Sequence, residues 1–192
     1  MLPFQQRSAF RFRLTCVLAI AVFMIPALAS AQDNKQSVQQ RQAAAQARLE
    51  KEVRHMLVTL PFYSVFDNLE YRVDGDRVTL SGQVVSPTLK SDAEKSVKSI
   101  EGVSAVDNKI EVLPVSPNDD RIRRAGFRAI YSAPNLNKYA IQAVPPIHII
   151  VKGGHVTLVG VVANEADKNV AEIQAKSVSG VFSVENKLTV EK

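Results

Sequence analysis

Val78-Thr79-Leu80-Ser81-Gly82-Gln83-Val84 returns 78 positions later as Val156-Thr157-Leu158-Val159-Gly160-Val161-Val162. The correspondence runs outward in both directions without a gap. Residues 73–112 lie on residues 151–190, and eighteen of these forty positions are identical. A second cluster, Gly102-Val103-x-x-Val106-x-Asn108-Lys109, returns as Gly180-Val181-x-x-Val184-x-Asn186-Lys187. Shared order and spacing over such a length mark a duplicated module.

Each copy reads as helix, strand, strand, helix, strand. In the first, Leu49, Val53, Met56, Leu57 and Leu60 recur at helical spacing, and Pro61 stops that helix. Tyr71 and Val73, then Val78, Leu80 and Val84, alternate with polar neighbours around Asp74-Gly75-Asp76, which predicts a hairpin. Ser86-Pro87 is an N-cap followed by proline at the first helical position. Leu89, Ala93, Val97 and Ile100 are that helix's buried stripe, and Gly102 fits its C-cap. Val106, Ile110 and Val112 then alternate with charged residues as the last strand. The second copy repeats this from Ile122, Gly126, Ala129 and Ile130. Its hairpin turns at Lys152-Gly153-Gly154, Asn164 caps its second helix, and residues 135–146 form a longer loop. The expected fold class is α+β: two tandem αββαβ modules, each a three-stranded mixed sheet covered on one face by two helices.

The organisation outside the repeat follows from composition. Arg7, Arg11 and Arg13 precede an apolar run from Leu14 to Leu28, which ends in Ala27-Leu28-Ala29-Ser30-Ala31. This is the pattern of a cleaved secretory signal peptide, residues 1–31. The run is shorter than the ~20 residues that span a bilayer. Cys16, the only cysteine, lies inside it and has no lipobox before it. Residues 32–47 are a polar Gln/Ala-rich lead-in that extends the first helix with fraying. The first module covers 48–113, a Pro-containing linker 114–118, and the second module 119–192. The 24 basic residues less the three leader arginines leave 21 against 19 acidic ones. The basic character belongs largely to the leader, so it does not point to nucleic acid.

The pattern Gly-x-Val-Thr-Leu-x-Gly-x-Val, then a helix, then Gly-Val-x-x-Val-x-Asn-x-[Ile/Leu]-x-Val, resembles the BON domain of bacterial osmotically induced and nodulation-type envelope proteins. The resemblance covers both copies, nearly all of the chain beyond the leader. It implies a periplasmic, non-catalytic protein of the cell envelope that contacts phospholipid, maintains the membrane or supports osmotic-stress tolerance. It brings no cofactor. The other function class is a periplasmic protein-interaction or chaperone-like adaptor.

The residues themselves offer little chemistry. His55, His148 and His155 do not converge, with His148 expected opposite Val159 and His155 at the hairpin turn. No third ligand joins them, so zinc is not expected. There is no Gly-x-Ser-x-Gly elbow and no Cys–His pair. Gly82 and Gly160 stand where a close approach is needed, assigned to the second helix of each module. Asn108 and Asn186 share the parity of buried valines and are expected to tie their strand to the loop entering it.

Two features are candidates for partner binding. Arg121, Arg124 and Arg128 fall at i, i+3 and i+7 beside Arg123, on one face of the helix that opens module two. They read as a solvated face or as a dock for anionic phospholipid. Arginine in a first helical turn opposes the macrodipole, which favours a binding reason. The second feature is the outward sheet face of module two. Arg72, Thr79, Ser81 and Gln83 of the first copy become Ile150, Thr157, Val159 and Val161, and the long loop adds Tyr139, Ile141, Val144, Pro145 and Pro146. An apolar patch of this kind marks an interface. Its partner is read as another part of this chain or an envelope protein, ahead of lipid.

Overall fold

The computed structural model describes residues 26–191, with side chains from Val38 onward. The leader's arginines, most of its apolar run and Cys16 lie outside the described residues. The elements are α1 (Pro26–Val58), β1 (Asn68–Asp74), β2 (Arg77–Val84), α2 (Pro87–Lys98), β3 (Ala105–Asn108) and β4 (Glu111–Val112), then α3 (Pro117–Tyr131), a 3-10 turn (Asn137–Ile141), β5 (Ile147–Lys152), β6 (His155–Val162), α4 (Glu165–Lys176) and β7 (Ser183–Val190). The polar lead-in is helix, part of α1, and every side chain from Val38 to Arg48 is exposed. Both modules lie in one compact unit that starts at Gln46.

In each module the middle strand pairs antiparallel with the strand before it and parallel with the strand after the second helix. In the first sheet β2 pairs with β1 and with β3 and β4. The registers Arg77↔Ala105 and Gln83↔Glu111 share one offset, so β3 and β4 are a single strand interrupted at 109–110. The second sheet has the same offset without the break, from His155↔Ser183 to Val162↔Val190. His148 stands opposite Val159, as the repeat predicts.

Two cores follow. Leu49, Val53 and Leu57 of α1 and Leu89, Ala93 and Val97 of α2 bury against Val73, Val78, Leu80, Val84 and Ile110. Ile122 and Ile130 of α3 and Ala171 and Ala175 of α4 bury against Ile147, Ile149, Val156, Leu158 and Leu188. Each fully buried branched side chain contributes about 1.5–3 kcal/mol. Modules of this size gain little from one core alone, so what joins them also matters for stability.

Several expectations change in detail. Gly82 (φ 104°) and Gly160 (φ 132°) face the preceding strand segment, not the helix. A Cβ at Gly82 would stand 2.1 Å from the Asn68 carbonyl oxygen, and one at Gly160 1.8 Å from that of Pro146. The asparagines tie strand to helix, not strand to loop. Asn108 Nδ2 donates to the Lys90 carbonyl and Glu94 Oε2, while its Oδ1 accepts from Ile110 N–H. Asn186 repeats all three bonds with Lys168, Glu172 and Leu188. Gly102 does not cap α2. Ser99 does, and Gly102 (φ 96°) sits in the following turn, closed by Val103 N–H to the Ile100 carbonyl. The second linker proline opens a helix: Ser116 caps α3 and Pro117 is its first residue.

The modules meet through their outward sheet faces and one connecting segment. Asn68, Glu70 and Gln83 of the first sheet and Ile150, Thr157 and Val159 of the second line a shared cavity of about 560 Å³. Lys152 pairs with Glu111 at its margin. The segment between α1 and β1 crosses over. Leu60 belongs to the first core, whereas Val65 belongs to the second. The Val65 carbonyl accepts from Ile149 N–H at 2.8 Å, which covers part of the free edge of β5.

Candidate functional site

Helix α3 carries the candidate arginines, and its first turn fixes its pose. Asp119 is 2 % exposed and accepts from Gly153 N–H (2.8 Å) and Gly154 N–H (2.9 Å) at the β5–β6 turn. Arg123 is buried beside it. Its guanidinium donates to the Val151 carbonyl at 2.6 Å and pairs with Asp120. Arg123 is therefore a clamp between helix and hairpin and not a surface charge. The sequence carried no signal for this, because Asp119 and Arg123 look like any polar residues of a helix start.

The other three arginines are exposed. Arg121 donates to Asn118 Oδ1 at 3.0 Å and lies against Gly180. Arg124 and Arg128 instead border a groove of about 530 Å³ with Tyr63, Phe66, Phe127 and Pro145. Half of that apolar lining comes from the crossing segment of module one. Phe66 meets Phe127 edge-on at 6.3 Å between centroids, and Phe127 in turn contacts Tyr131. An adjoining hollow places Phe62 near Arg124. Phe62 is 84 % exposed and has a φ of 68°, the one positive value outside glycine among the described residues. A strained, exposed aromatic residue is a feature of ligand-facing positions.

The apolar patch does not stay together. Ile150 is 5 % exposed, and with Val159 it lines the cavity between the sheets, so module one covers both. Val161 and Ile141 remain exposed. Tyr139 is half-buried and fully engaged. Its hydroxyl accepts from Ala163 N–H (2.8 Å) and donates to Asp167 Oδ2 (2.6 Å). Asp167 also takes an ion pair from Lys138 at 2.7 Å. Burial alone would raise the Asp167 carboxyl, but the bonds from Lys138 and Tyr139 outweigh it and hold it below its ordinary value. Tyr139 thus fastens the long loop to α4.

The histidines lie apart. His155 shares a 2.7 Å bond with Ser183 Oγ at the hairpin end, and His55 is exposed on α1. His148 lies beneath the crossing segment, with its ring 5.6 Å from that of Tyr63. Among the described residues no three His, Cys, Asp or Glu side chains gather as metal ligands, and no helix is long and apolar enough to cross a membrane.

Comparison with known proteins adds the following. The BON domain family matches twice, over residues 37–114 and 119–192. Osmotically-inducible protein Y of Escherichia coli (strain K12) is 35% identical over 123 residues, which are 63% of this chain and 61% of that protein. The match thus spans under two thirds of the relative's length. Among solved structures, CdsD, a structural protein of the type III secretion system of Chlamydia trachomatis, matches with a TM-score of 0.30 at 13% identity, over 75% of this chain and 92% of that one. Its C-terminal domain gives 0.26 at 12%, over 74% and 96%. Scores this low carry no structural argument.

Proposed function

This chain belongs to the BON domain family, and from that premise we propose that it acts by binding at the cell envelope, docking on anionic phospholipid to support membrane integrity under osmotic stress. The similarity to an osmotically inducible protein supports the stress role. The basic and apolar N-terminal pattern supports export to the periplasm through a cleaved leader. The observation that carries the lipid reading is the groove where Arg124 and Arg128 stand beside Phe66, Phe127 and Pro145. Cations beside an aromatic-lined hollow suit a headgroup phosphate with adjoining acyl carbons. Exposed Phe62 extends the same surface.

Each basic residue near an anionic leaflet contributes about 1 kcal/mol. Losing two costs about 2 kcal/mol, roughly thirtyfold in affinity. Sedimentation of the protein with phosphatidylglycerol-containing vesicles should therefore exceed that with phosphatidylcholine vesicles and weaken with salt. The double variant Arg124→Glu/Arg128→Glu should lose at least that factor. Equal sedimentation of variant and wild type, or no preference for anionic vesicles, refutes the reading and leaves the adaptor class in its place.

A further inference from the structure

The segment Tyr63–Asp67 is held by module one at its ends and by module two at its middle. At the module-one side, Asp67 is 2 % exposed and accepts from Ser64 N–H, Ser64 Oγ–H and Val85 N–H. At the module-two side, Val65 bonds Ile149 and joins that core, and Phe66 packs on Phe127. Directly beneath lies His148 on the β5 edge. Its Nδ1 is buried and has no hydrogen-bond partner among the described residues. We propose that this segment is an acid-released latch: protonation of His148 detaches it from β5 and lets the two modules part.

The physical argument rests on what a charged ring requires. A neutral imidazole tolerates one unpartnered acceptor nitrogen. An imidazolium has two N–H donors and a charge, and both need partners or water. Burial keeps His148 below its ordinary value of 6.5 and outweighs the Asp67 backbone and carboxylate and the Ser64 backbone, which pull the other way. Among the described residues Asp67 is the anion that acts on the ring, and its oxygens are already committed to Ser64 and Val85. Tyr63, pushed up to about 12 mainly by burial, stays neutral and offers no charge. Val159 faces His148 across the strand pair. Further along the same sheet face stand Lys152, which is paired with Glu111, and His155, which bonds Ser183. None of these supplies a counter-charge at the ring.

The sign follows from the depressed value. The latched state binds fewer protons at His148 than the released state. Latching is complete above pH 6.5 and weakens as pH falls below it, by up to tenfold per pH unit for a single proton. Release removes Val65 and Phe66 from module two and leaves their apolar seats open beside Arg124 and Arg128. The latch does not depend on what those arginines bind, and its test contains no lipid.

Hydrogen exchange of the Ile149 amide in the full chain reads the latch directly. Between pH 7 and pH 5, its protection, corrected for the intrinsic rate, should fall, by up to the roughly twenty-fivefold that one proton with a free value of 6.5 allows, with the β6–β7 amides unchanged. In His148→Phe the fall should disappear. Ring titration by NMR should place His148 below its ordinary value of 6.5. Ile149 protection that ignores pH, an equal fall in His148→Phe, or a His148 ring that titrates at or above 6.5 overturns the proposal. If His148→Phe does not fold, His148→Leu takes its place, and the wild-type titration and exchange still decide.

Discussion

At the scale of single residues, the duplicated backbone is maintained by different chemistry in its two copies. The N–H that follows the middle strand is Val85 in one module and Ala163 in the other. The Asp67 carboxylate takes the first, and the Tyr139 hydroxyl takes the second. Leu89, buried in the first core, corresponds to Asp167, buried at 3 % exposure, whose carboxylate accepts from Lys138, Tyr139 and Asn164 Nδ2. The longer loop and the buried carboxylate are thus one adaptation. Asp167→Ala leaves the Tyr139 hydroxyl without its acceptor, and the expected loss is about 2 kcal/mol in urea unfolding. Because the folded Asp167 carboxyl sits below its ordinary 3.8, its contribution is present above that pH and is lost as pH falls through the depressed value. The difference between Asp167→Ala and wild type should therefore shrink in strongly acidic buffer. Gly160→Ala should be more severe, at about 3 kcal/mol or more, since its Cβ would meet the Pro146 carbonyl at 1.8 Å in a backbone conformation only glycine holds easily.

At the scale of elements, each parallel strand is fastened to the helix before it by one asparagine. The three bonds of Asn186 join β7 to α4 and turn the strand's own backbone at Leu188. Asn186→Leu removes all three, and Asn108→Leu does the same in module one. We expect each to cost about 2–3 kcal/mol, with β7 or β3 amides losing exchange protection first. Helix α3 has a second fastening, from Asp119 and Arg123 to the β5–β6 turn. Asp119→Ala should lower the thermal midpoint by several degrees and loosen Gly153 and Gly154, which leaves the turn's two N–H groups without acceptors. The position of Asn108 and Asn186 was legible from parity alone. Their partners were not, because strand periodicity says which face a residue occupies but not which neighbour occupies it too.

At the scale of the whole molecule, the two cores are separate but the modules are not independent. The apolar character of Ile150 and Val159 makes sense only once the opposing sheet face of module one is in view. The crossing segment supplies Val65 to a core it does not belong to by sequence. Val65→Asp puts a charge into that seat and removes a buried side chain. The expected outcome is a larger radius of gyration in solution scattering and two unfolding steps in place of one, while the far-ultraviolet circular dichroism stays close to wild type.

The sequence by itself determined the module, its element order, its strand register and the face each strand buries. All of these follow from local periodicity, caps and turns, and an internal repeat states them twice. Only the tertiary structure decided that Arg123 is a clamp, that Tyr139 is a fastener, and that Arg124 and Arg128 share a groove with residues from the other module. Such groupings join residues 28 positions apart within module two and about sixty apart between the modules. They depend on how two folded surfaces meet, and no local pattern of hydrophobic spacing encodes that.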